Sequence, residues 1–146
     1  GAGGMVGGQW LDLKGEGEAL GLDGLNGLYE RKTGALLMSA LVVGGLGAGA
    51  TDDVVEALRR YGGSIGLAFQ IADDLLDVEG DEAKAGKALR KDEEQGKQTF
   101  VTLMGVEQAR AQATMLVEQA GHHLAGHGED ARLLVELAHF IVKRDH

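Results

Sequence analysis

Apolar residues at Val54, Leu58, Tyr61, Ile65, Phe69, Ala72 and Leu76 recur every three or four positions, the period of one helix face. A long helix is therefore predicted from Thr51-Asp52-Asp53, a hydroxyl cap and an acidic first turn, to about residue 79. A second helix is predicted over 25–46, capped by Asp23 or Asn26. Its part from Thr33 to Thr51 is a run of 19 residues without a charge, close to the roughly 20 that span a bilayer. Five glycines, Ser39 and the flanking charges favour a central helix buried on most sides instead. Towards the C-terminus, Ala109, Ala113, Leu116, Val117 and Ala120, then Leu133, Leu134, Leu137, Phe140 and Ile141, are spaced for core packing. They predict an antiparallel pair, 106–125 and 129–144, joined at Gly126-His127-Gly128. Phe100, Val101, Leu103 and Met104 make a short apolar turn ended by Gly105. Residues 14–24 and 80–98, charged and glycine-rich, read as loops. No stretch carries a strand's alternation, so the fold class is all-α.

The polar side of the long helix carries the candidate chemistry. Gln70, Asp73, Asp74 and Asp77 fall within a sector of about 100°, opposite the apolar stripe. Asp73 and Asp77, at i and i+4, repel by roughly 0.2–0.5 kcal/mol. Such a cluster is either a solvated acidic face or a site for a cation. With no Cys or His nearby, that cation would be a hard one such as Mg2+. Lys32 poses the converse question. On an uninterrupted helix it heads a stripe with Leu28, Ala35, Leu36 and Ser39, and it either reaches water or turns inward to an anion. Thr33 beside it offers a hydroxyl. Gln9 and Asp12, at i and i+3, would share a face if residues 1–13 were helical; five glycines in the first eight positions also suit a frayed end. Lys87 and Lys97 each follow a glycine, though without P-loop spacing.

Composition narrows the field. The chain has 146 residues, enough for one domain with a core. A net charge of −9 argues against a nucleic-acid surface. Without cysteine there are neither disulfides nor thiolate metal sites, and an intracellular, cytoplasmic setting is expected. The five histidines show no ligand spacing and read as exposed residues. With no initiator Met and no signal-peptide pattern, the start reads as a cut through a longer protein.

Several motifs in order resemble the trans-type polyprenyl diphosphate synthases, most closely the bacterial farnesyl diphosphate synthases. They are Gly7-Gly8-Gln9 with Asp12, Lys32-Thr33-Gly34, and Phe69-Gln70-Ile71-Ala72-Asp73-Asp74-Leu75-Leu76-Asp77. Gly80-Asp81, Gly86-Lys87, Lys91-Asp92 and Gly96-Lys97 with Thr99 continue the series, and Gly105 to Arg110 and Lys143-Arg144 also fit. The resemblance implies an isoprenoid-synthase-type helical bundle. It also implies Mg2+-dependent condensation of an allylic diphosphate (dimethylallyl or geranyl) with isopentenyl diphosphate to give farnesyl diphosphate. Three Mg2+ ions would be held between two aspartate-rich motifs, the second of which matches Asp73, Asp74 and Asp77. Asp73 would bind metal directly, and Asp74 and Asp77 directly or through water. Lys32, Lys87 and Lys97 would hold the allylic diphosphate. Thr33 and Gln70 would face the allylic cation, and Phe69 would shape the pocket. Arg90 stands where the family usually has glycine. The first aspartate-rich motif is absent, so residues 1–146 correspond to the C-terminal half of one synthase domain. That half by itself is expected to be inactive, with no membrane insertion, and to form a homo-oligomer or join the N-terminal half. The alternative is a non-catalytic helical subunit that regulates a prenyl synthase.

Overall fold

The longest apolar-periodic stretch becomes the helix against which the others pack. The structure, a computed structural model, describes residues 1–14, 20–84 and 98–143, with backbone alone for 79–84. Its helices are α1 (Met5–Lys14), α2 (Gly21–Tyr29), a π-helical turn (Glu30–Gly34), α3 (Ala35–Gly47), α4 (Asp52–Lys84), α5 (Phe100–Met104), α6 (Val106–His123), a 3₁₀ stretch (Ala125–Ala131) and α7 (Arg132–Lys143). The described residues contain no strand, as the all-α expectation has it. None of their helices is long and apolar enough to cross a membrane.

The middle of α4 is covered nearly all round, with α6 and α3 as its most extensive neighbours. Tyr61, Ile65, Ala68, Ile71, Ala72 and Leu75 are buried along it, while Val54, Leu58, Phe69 and Leu76 of the predicted stripe are half-buried. Its glycines let neighbours close in. A Cβ on Gly62 would stand 2.9 Å from Met38 Cα, and one on Gly66 2.5 Å from Gly34 Cα. On the other flank all five predicted α6 positions, Ala109, Ala113, Leu116, Val117 and Ala120, are buried; the alanines bring the two axes together. The Tyr61 hydroxyl donates to the Leu134 carbonyl at 2.7 Å, and burial pushes its pKa up to about 12.

Four expectations need correction. α2 starts at Gly21, inside the stretch read as a 14–24 loop, and neither Asp23 nor Asn26 caps it. The cap comes from far along the chain: Gln98 Oε1 accepts from Leu20 N (2.8 Å) and Gly21 N (3.1 Å). Gln98→Ala should lower stability by about 1 kcal/mol, the usual worth of a cap, while Gln98→Glu, which keeps the acceptor, should not; thermal unfolding measures both. Next, helix 25–46 is not one α-helix, since the Ala35 N–H reaches back five residues to the Glu30 carbonyl. This π-turn breaks the stripe assumed for Lys32, and Leu36 and Ser39 are exposed. α4 runs on to Lys84, past the predicted end. Finally, α7 starts at Arg132, after a kink at Gly128 (φ 53°).

The apolar surfaces of α3 and α7 also depart from expectation. No residue of α3 is fully buried, and Leu36, Val43 and Leu46 are exposed. On α7, Leu133, Leu137 and Phe140 are exposed, while the buried positions are Ala138 and Ile141. Ala138 and Ile141 make the close contact, and the exposed Leu137 and Phe140 face the open space beside it. Between α3, α4 and α7 lies an apolar cavity of about 660 Å3, lined by Leu41, Leu58, Phe69, Leu137 and Phe140 among others.

Candidate functional site

Three chain segments meet at the π-turn. Gly8 of α1 is buried against it, and a Cβ there would stand 2.4 Å from Lys32 N. Gly66 of α4 also lies against the turn, a Cβ there standing 2.5 Å from Gly34 Cα. Touched by both glycines, the segment carries one extra residue in its turn. Single π-turns of this kind are frequent at functional sites.

The turn presents Lys32 and Thr33, both half-buried. Among the described residues, the anion that Lys32 meets is Asp12 of α1. Its Nζ lies 2.6 Å from Asp12 Oδ2, the two side chains being 29% and 22% exposed, so the pair is partly shielded from water. The contact has the short distance of a charge-assisted hydrogen bond. α1 is thus a packed helix rather than a frayed end. Gln9, expected on the Asp12 face, is exposed.

Asp74 reaches into the fold. Both its oxygens accept from the Tyr29 hydroxyl, at 3.0 and 2.9 Å, and its Oδ2 also accepts from Phe100 N at 3.1 Å. The Tyr29 ring lies 5.6 Å from that of Phe100 in a tilted pair. Burial first, then the negative charge and hydrogen bond of Asp74, and after these Asp12 and Asp73, raise the Tyr29 pKa far above the usual phenol value. The tyrosine is therefore a neutral donor, and Asp12, Asp73 and Asp74 all lie within electrostatic reach of it. Asp73 is half-buried and accepts from Gln70 Nε2 at 3.5 Å. Gln70 itself is buried, and Asp77 is exposed.

The expected site residues thus divide. Lys32 and Thr33 lie on the π-turn, Lys32 paired with Asp12 of α1; Gln70 and Asp73 pair with each other on α4, and Asp74 is tied to α2 and α5. Phe69 lines the apolar cavity, and Asp77 faces outward. Lys87 and Lys97, with Arg90, lie outside the described residues. Among the described residues no group of three or more His, Asp or Glu side chains is placed to hold a metal. Sequence reasoning missed Tyr29, which reads as one more apolar-face residue. Its place three positions before Lys32 was the only available signal.

Residues 2–137 match the family described as polyprenyl synthetase. The chain belongs to the polyprenyl synthetase family. It is 43% identical over 149 residues to farnesyl diphosphate synthase of Escherichia coli, covering 99% of this chain and 50% of that protein. Among solved structures, an FPP/GFPP synthase from Zymomonas mobilis superposes with a TM-score of 0.81 at 40% identity, covering 97% of this chain and 46% of that one. A geranyltransferase from Helicobacter pylori, complexed with magnesium and isoprenyl diphosphate, superposes with a TM-score of 0.76 at 33% identity, covering 97% and 48%. This polyprenyl synthetase chain spans about half the length of the curated relatives it matches.

Proposed function

We propose that this chain is the C-terminal half of a trans-prenyltransferase that joins an allylic diphosphate to isopentenyl diphosphate, with farnesyl diphosphate as product. The observation that supports the reading is that Lys32 pairs with Asp12 of α1, while Tyr29, three residues earlier, feels the charges of both Asp12 and the α4 aspartates Asp73 and Asp74. Magnesium suits this set. It is commonly bound through one or two carboxylates, with substrate phosphates and water completing an octahedron, so Asp73 suffices as its principal protein ligand here. Bound there, Mg2+ would neutralise charge on a departing diphosphate. The three ions of a complete enzyme would need the first aspartate-rich motif, outside this chain.

The roles of the side chains follow from charge and position. Lys32, with Lys87 and Lys97, would hold the allylic diphosphate as point charges, Lys32 exchanging Asp12 for substrate oxygens. When the C–O bond breaks, its electron pair leaves with the diphosphate. The cation left behind is attacked by the double bond of isopentenyl diphosphate, and a proton is then lost to the released pyrophosphate. The Thr33 hydroxyl and the Gln70 amide oxygen would turn dipoles towards that cation, and Phe69 would help to keep water out. The apolar outer flanks of α3 and α7 are where the N-terminal half would pack. An all-apolar helix such as α3 normally lies buried.

Calorimetric titration with Mg2+ and a non-hydrolysable geranyl diphosphate analogue tests the site in this chain. Binding should require the metal and weaken at least about tenfold on Asp73→Asn or Lys32→Ala, the loss of about 1.4 kcal/mol or more. With the N-terminal half supplied, label from isopentenyl diphosphate should enter a farnesyl product. Binding that is indifferent to Mg2+ and to both substitutions would overturn the reading. A chain that instead alters the rate of a complete synthase would be a regulatory subunit.

A further inference from the structure

The sequence places Asp73 and Asp74 side by side in one motif, but the fold uses them differently. Asp74 joins three segments that are distant in sequence. Its carboxylate takes the hydroxyl of Tyr29, at the end of α2 just before the π-turn that carries Lys32. It also takes the backbone N–H of Phe100, the first residue of α5, immediately after the stretch containing Lys87 and Lys97. Both donors hold fixed positions. The Tyr29 ring is buried and packed on Phe100, and Phe100 N follows the reciprocal cap in which Thr99 Oγ1 accepts from Thr102 N and Thr102 Oγ1 from Thr99 N.

We propose that Asp74 is a positioning residue rather than a metal ligand: with Tyr29 and the Phe100 N–H it forms a clamp that holds the end of α2, which leads into the Lys32 turn, and the start of α5 against the aspartate-rich helix. The proposal rests on the diphosphate-binding reading above and refines it. The clamp joins the segment that leads into Lys32 to the helix that carries Asp73. A diphosphate bridged to a cation must touch both. Loss of the clamp would therefore weaken diphosphate binding without removing any group that touches the ligand.

Tyr29 makes the test possible, because a neutral phenol is a poor ligand for a hard cation whereas a carboxylate is a good one. The Tyr29→Phe, Asp74→Asn and double variants of this chain would be unfolded with urea in the absence of metal. Their binding of Mg2+ with inorganic pyrophosphate would then be measured by calorimetry at a temperature where all remain folded. A clamp predicts that both single variants lose stability and that the double variant loses little more than either. It also predicts that each weakens pyrophosphate binding by a similar factor, about fivefold to twentyfold. Tyr29→His, which restores an N–H donor, should recover part of that binding. If Asp74→Asn abolishes binding while Tyr29→Phe binds like the parent chain, Asp74 is a ligand and the proposal is wrong. If the unmodified chain binds no Mg2+-pyrophosphate, the functional reading fails. The urea cycle then decides the clamp alone: non-additivity supports it and simple additivity overturns it.

Discussion

Phe100→Ala is expected to destabilise the chain by about 3–5 kcal/mol, the usual range for truncating a buried aromatic. Phe100 is 2% exposed, and its ring lies against that of Tyr29 at 5.6 Å. The substitution would keep the backbone N–H that meets Asp74, so the loss would come from the emptied ring volume and the slackened tyrosine. In urea the midpoint should fall with little change in slope, as for a loss of stability without a change in the surface exposed. A loss below about 1 kcal/mol would show that the Phe100 environment is not packed as described. Phe140 provides the contrast. At 64% exposed it should tolerate Phe140→Ala within about 0.5 kcal/mol in this chain. Joined to the N-terminal half, the same substitution should cost more, because the α7 flank would then be covered.

The second large effect concerns two glycines one helical turn apart on α4. Gly66→Ala would place a methyl 2.5 Å from Gly34 Cα, against backbone that has no rotamer by which to yield. α4 and the π-turn would have to separate, at about 1–3 kcal/mol as for other overpacked contacts. Gly63 has nothing within 4 Å of the same added atom. Gly63→Ala should therefore stabilise the chain by about 0.5–1 kcal/mol, the intrinsic gain of alanine over glycine in a helix. Calorimetric melting should thus move the two midpoints in opposite directions. Equal shifts would mean that the contact at Gly34 is not tight. Because the Gly66 contact seats the turn that carries Lys32, Gly66→Ala should also weaken pyrophosphate binding, and Gly63→Ala should leave it unchanged.

The periodicity was most legible where one helix face meets one neighbour. On α6 the predicted alanines, leucine and valine are all buried, since α4 is its main partner and a single buried stripe follows the 3.6-residue repeat. It misled on α7, where apolar residues cover more than one face. There Ala138 and Ile141 are buried, and Leu133, Leu137 and Phe140 stay exposed. The Gln98 cap lies nearly eighty residues from the N–H groups it serves, beyond the reach of any local signal. The π-turn had no local signature either; what accompanies it is the close approach of α1 at Gly8 and of α4 at Gly66, which no local pattern encodes.

The sequence by itself determined the all-helical architecture, the motifs that mark the family, and the residue types suited to gripping a metal-bound diphosphate. These are local properties, carried by spacing and by the chemistry of single side chains. Tertiary structure alone decided which carboxylate meets which partner. Asp12 came to Lys32 because Gly8 allows α1 to lie on the π-turn, and Asp74 turned to Tyr29 and the Phe100 N–H because α2 and α5 converge there. Neighbouring aspartates are equivalent along a chain; packing separates them by giving one of them buried donors that would otherwise lack a partner.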